Sequence, residues 1–135
     1  MRLLTVAALV SCVAACAVTQ TYSLRPDDLP ARVGQIDPSE RVAAWNRAIE
    51  VLMQQGYEPQ VLNQDAGYIS AKMRNNAPED ALVGTRAIIK ITPQGKVSVE
   101  VGGVGNYASG SELESYIDSM KSTLLEGTLG QPPGT

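Results

Sequence analysis

The stretch AIIKITPQGKVSVEV, residues 87–101, decides the fold. On its left arm Ala87, Ile89 and Ile91 alternate with Ile88 and Lys90, and on its right arm Val97, Val99 and Val101 alternate with Ser98 and Glu100. A period of two is the mark of a half-buried strand. Pro93-Gln94-Gly95 between the arms carries turn chemistry, because proline presets φ and glycine closes the turn without steric cost. The stretch predicts an antiparallel hairpin with one apolar face and one solvated face.

The pattern extends upstream. Strand alternation runs from Val83 to Ile91, and again from Tyr68 to Arg74, with Ile69, Ala71 and Met73 on one face and Ser70, Lys72 and Arg74 on the other. Asn63 to Gly67 reads as a turn, and Tyr57 to Leu62 as a further strand that Pro59 confines to the sheet edge. Asn75 to Leu82, around Pro78, reads as a loop.

A helix precedes the strands: Asp37 caps, Pro38 takes the first position, Glu40 closes a capping box, and Gly56 stops it. Its expected apolar face is Val42, Trp45, Ile49 and Leu52, with Ala48 and Met53 beside it. Downstream, Gly102 to Gly110 reads as a glycine-rich loop. A second helix follows, capped by Ser111 with Glu114, apolar at Leu113, Tyr116, Ile117, Met120 and Leu124, and ended by Gly127.

The expected fold is therefore α+β: a two-layer sandwich in which a four-stranded antiparallel meander carries an N-terminal and a C-terminal helix on one face, in the order α-β-β-β-β-α. This domain spans 37–127, and 128–135 is a loose tail. Residues 17–36, with Pro26, Asp27, Asp28 and Pro30, show no period and read as a flexible tether. A coil of that length reaches about 25 Å. The other reading of this segment has Leu29 or Val33 packing along the domain edge.

Composition narrows the function. The 135 residues contain no His and no Phe, which removes the commonest general base and metal ligand. The two cysteines, Cys12 and Cys16, both precede the domain, which is thus left without a disulfide or a thiol nucleophile. Of 11 Lys and Arg only Arg2 precedes Cys16, leaving ten against 14 acids and a net charge of −4 beyond that point. That balance argues against nucleic acid as a partner.

The N-terminus is a short positive start, Met1-Arg2, followed by an uncharged run from Leu3 to Val18. This run is short for a spanning helix, which needs about 20 residues, and suits a signal-peptide core. Val13-Ala14-Ala15-Cys16 resembles the bacterial lipobox, in which an aliphatic residue and two small ones precede an acylated cysteine. Leu9-Val10-Ser11-Cys12 resembles it too, after a shorter apolar run. Ala15-Cys16-Ala17 also fits an ordinary signal-peptidase site, which would release a soluble periplasmic or secreted protein, and an uncleaved anchor is the remaining fate. Cys16 is the favoured lipidation site. The resemblance implies a signal peptide over 1–16 and several acyl chains on Cys16. Because Ala17 is not Asp, it also implies an outer-membrane lipoprotein facing the periplasm.

Gln55-Gly56-Tyr57, Gly67-Tyr68-Ile69-Ser70-Ala71 and Val97 to Gly105 together resemble a loose group of small bacterial lipoproteins whose function is not established. The resemblance implies a fold more than an activity.

No catalytic or metal constellation stands out, and no cofactor is expected. The glycine loop lacks the βαβ context of a dinucleotide site and the Lys-Ser/Thr pair of a P-loop. Asn75, Asn76, Glu79 and Asp80 do not match an EF-hand. Glu112, Glu114, Asp118 and Glu126 stand at helix-surface spacing, and Ser109 and Ser111 have no base to activate them. The more informative pattern is charge. With the apolar strand residues turned to the helices, Lys72, Arg74, Arg86, Lys90 and Lys96 share the opposite face with Tyr68 and Ile88, and Glu100 is the expected lone acid there. The expectation is a non-enzymatic, membrane-tethered binding or scaffolding module whose basic face meets an anionic envelope component or an acidic protein partner. The rival is an enzyme subunit working by carboxylates or hydroxyls.

Overall fold

A computed structural model describes residues 20–74, 83–107 and 109–130. The signal segment with Cys12 and Cys16, residues 17–19 of the expected tether, the loop with Asn75, Asn76, Glu79 and Asp80, and the last five residues of the tail lie outside the described residues.

The elements are β1 (Gln20–Leu24), β2 (Arg32–Gln35), a single 3-10 turn (Pro38–Glu40), α1 (Arg41–Gln54), β3 (Tyr57–Asn63), β4 (Tyr68–Met73), β5 (Val83–Ile91), β6 (Lys96–Tyr107) and α2 (Gly110–Leu129). The expected meander is present: β3, β4, β5 and β6 are successive antiparallel neighbours, with β3 at the edge and a bulge between Pro59 and Val61. Four strands understate the sheet, however. β1 and β2 both add to the far side of β6, β1 beside its second half and β2 beside its first, making six strands.

The stretch 20–35, expected as flexible tether, is thus part of the sheet. Pro26 and Pro30 punctuate it, but what they bound is the connection between two strands. The Asp28 carboxylate accepts from the Arg25 N–H at 2.7 Å and Arg25 O accepts from Asp28 N–H at 3.0 Å, closing a turn. Each strand is too short to show a period of its own. Tyr22, Leu24 and Leu29 pack on the core, while Val33 stays exposed.

The core sits between the helices and one sheet face. Ile69, Ala71, Met73, Ala87, Ile89, Ile91, Val97, Val99 and Val101 face inward, as the alternation required, and join Ala44, Trp45, Ala48, Val51 and Leu52 of α1 and Leu113, Ile117 and Leu124 of α2 in one cluster. The α1 face is turned from the expected one. Val42 and Met53 are exposed, and Ala44 and Val51 take their place inside. Alanines at 44 and 48 are fully buried, inward positions that a hydrophobicity count does not register.

Helix ends also differ from expectation. Asp37 caps the 3-10 turn, its Oδ1 accepting from Ser39 N–H at 2.9 Å and Ser39 Oγ–H at 2.7 Å, and Glu40 forms no reciprocal box. These bonds hold the Asp37 carboxyl below its ordinary range. Ser109, not Ser111, caps α2 by accepting from Glu112 N–H at 3.2 Å. Gly127 does not end α2. It lies within the helix where Val51 of α1 packs against it, at a distance a Cβ would occupy, and Gly130 in the left-handed conformation ends the helix instead. Nor is Gly102 to Gly110 a loop, because β6 continues to Tyr107. A Cβ on Gly102 would stand 2.6 Å from Leu24 O, so this glycine admits the close approach of the chain leaving β1.

Candidate functional site

Residues paired across an antiparallel ladder share a face, so register builds the outer side of the sheet row by row. Val61, Ser70, Ile88 and Glu100 form one row. Asn63, Tyr68, Lys90, Ser98 and Val33 form the next. On the other side lie Glu58, Lys72, Arg86 and Gly102. Arg74 follows at the end of β4, and Lys96 pairs with Gln35 at the far end of β6. Lys72, Arg74, Arg86, Lys90 and Lys96 are all exposed, so the five cations that alternation assigned to one face do share it.

Glu100 is not the lone acid there. Glu58 on β3 stands directly opposite Lys72. The bulge after Pro59 changes the phase of β3, which hid the side on which Glu58 falls. Glu100 Oε1 lies 3.9 Å from Lys90 Nζ across the strands. Among the described residues the face keeps an excess of three positive charges, spread over a surface that also exposes Val33 and Val61.

A second polar feature was not foreseen. Leu29 and Pro30 of the connection between β1 and β2 lie beside α2 and bound a cleft of about 340 Å³, lined also by Ser111, Glu114, Ser115, Asp118 and Lys121. Lys121 is only 3% exposed, and its Nζ donates to Pro30 O at 2.8 Å. Asp118 accepts from Arg32 of β2 at 2.9 Å. That hydrogen bond and the guanidinium charge hold the Asp118 carboxyl below its usual range. Lys121 occupies the helix position between Ile117 and Leu124 where the apolar stripe would continue. That break in the stripe was the available signal for it.

The cleft's carboxylates, Glu114 and Asp118, stand one turn apart on the same helix rather than opposite each other, whereas a carboxylate pair acting on a bond must flank it. Glu112 stands in the first turn of α2, near the positive end of the helix dipole. Ser109 Oγ is engaged in capping. Two further cations bond to backbone: Arg41 Nη2 donates to Ile91 O at 3.2 Å, and Arg47 Nε donates to Thr128 O at 2.9 Å. Tyr57 is fully buried, and burial pushes its phenol well above the ordinary tyrosine value, with Tyr116 adding to the shift. Among the described residues no three His, Cys, Asp or Glu side chains converge as a metal site, and no helix is long and apolar enough to cross a membrane. Compared with known proteins, the chain matches no family model, and no curated protein matches it.

Proposed function

We propose that this chain is a membrane-tethered, non-enzymatic binding or scaffolding module of the bacterial cell envelope, anchored through acylated Cys16 at the outer membrane and facing the periplasm. Its working surface is the outer sheet face, which binds an anionic envelope component or an acidic protein. The observation that carries this reading is the gathering of Lys72, Arg74, Arg86, Lys90 and Lys96 on one exposed face of an otherwise acidic chain. Long-range attraction to an anionic partner follows from that charge distribution. The cleft beside α2 supports the non-enzymatic reading, since its Asp118 and Lys121 are committed to Arg32 and Pro30.

The test is affinity recovery from native membranes with three full-length proteins. Wild type is expected in the membrane fraction with its partner. Cys16→Ser should leave that fraction. Arg74→Glu with Lys90→Glu should stay anchored and folded but lose the partner, and unchanged recovery with this variant sinks the proposal.

A further inference from the structure

We infer that the partner of the basic face is the membrane itself: the outer sheet face rests on anionic phospholipid headgroups of the bilayer that holds the anchor. This inference depends on the acylation of Cys16 proposed above.

Three observations lead to it. The first is the length of the tether. β1 begins at Gln20, so three residues separate the sheet from Cys16. The four Cα–Cα steps from Cys16 to Gln20 span about 14 Å when fully extended, against the roughly 25 Å reach of a free coil over 17–36. The field of an anionic surface decays over about 8 Å at physiological ionic strength. A short leash therefore holds the attachment point within about two decay lengths of the surface, where a long one would let it move farther off.

The second is the asymmetry of charge. Among the described residues the outer face carries five cations against Glu58 and Glu100, whereas the chain beyond Cys16 is net negative. Held close to an anionic surface, the domain is attracted through this face and repelled through the rest, which selects one orientation.

The third is the way apolar groups are placed among the cations. Val33 and Val61 are 54% and 49% exposed on this face, and Tyr68 and Ile88 are half-buried between them. Lysine is depleted at protein–protein interfaces. Here Lys72 and Lys90 stand at the middle of the patch, on the central strands β4 and β5. Cations interleaved with isolated aliphatic side chains suit a headgroup layer, where phosphates meet the former and the acyl boundary meets the latter.

The sequence supplies its own reporter. Its four lysines are Lys72, Lys90, Lys96 and Lys121. The first three lie on the outer face, and Lys121 is 3% exposed. The full lipoprotein is reconstituted into phosphatidylcholine vesicles with and without phosphatidylglycerol and treated with an amine-acylating reagent. Lysine labelling and the mass of the N-terminal peptide are then read by mass spectrometry. With phosphatidylglycerol present, Lys72, Lys90 and Lys96 should label about fivefold more slowly or less, and high salt should restore the rate. Lys121 should stay unlabelled throughout, as the sign of an intact fold. Arg74→Gln with Arg86→Gln should weaken the docking about fivefold for each charge removed, moving protection toward the value in neutral vesicles.

Equal labelling in the two vesicle types, with Cys16 acylated, overturns the inference and leaves the face to an acidic protein. Protection that is as strong in neutral vesicles overturns it as well, since charge would then play no part. An N-terminal peptide without acyl chains on Cys16 removes the anchor and the inference with it. The peptide mass separates that failure from the other two.

Discussion

The two faces of the sheet are made by the same strands, residue by alternate residue, yet they follow different rules. On the inner face Ile69, Ala71, Ala87, Ile89, Val97, Val99 and Val101 have no exposure at all. On the outer face their neighbours in sequence are Lys72, Arg86, Lys90 and the half-buried Ile88, Ser98 and Glu100. Side chains in a close-packed interior are constrained by every atom around them, so the inner face has little freedom to do anything but hold the fold. The outer face can change its chemistry at small cost in stability. Binding is better sought where composition is free and still departs from the average of the chain, as the excess of cations does.

The sharpest way to break this comparison uses two adjacent isoleucines. Ile89→Ala empties space in the sealed core and should cost about 2–5 kcal/mol, whereas Ile88→Ala on the outer face should cost under about 1 kcal/mol. Urea denaturation of both variants reads the difference, and similar costs would mean that the outer face is also covered. Lys121 is a smaller test of the rule that inward positions are apolar. Lys121→Ala takes the donor from Pro30 O and should destabilise by about 1–3 kcal/mol, again read from the urea midpoint.

The smallest effect expected concerns Asp118. Its carboxyl lies below the ordinary range because Arg32 bonds to it, so the folded state favours the ionised form. That stability is present above the unfolded-state value of about 4 and is lost as pH falls through the lower folded value. Asp118→Asn should therefore lower the urea midpoint slightly at neutral pH, with the difference from wild type vanishing in acid. A constant difference at all pH values would show that the ion pair is not its source.

How much could be read from the sequence follows from where the information lay. β3 to β6 carry their own alternation and their own turns, so they, their order and the five exposed cations were legible. β1 and β2 were not, because strands of five and four residues have no period to read and acquire meaning only from a partner edge far along the chain. Gly102, Gly103 and Gly105 disguised the second half of β6 as a loop, although Gly102 marks where the chain leaving β1 presses close. Glu58 was missed because a bulge shifts strand phase, and the buried Lys121 because polar residues are counted as surface.

The double pairing of β6 has a further consequence, for the order of folding. Gln20 pairs with Tyr107 and Gln35 with Lys96, so the strands made first must wait for the one made nearly last. Contacts so distant in sequence slow folding. A chain of this kind cannot close its sheet until β6 has been made. Until β1 and β2 arrive, the twelve residues of β6, with valine at every second position of its first half, present an open edge onto which a second chain can add.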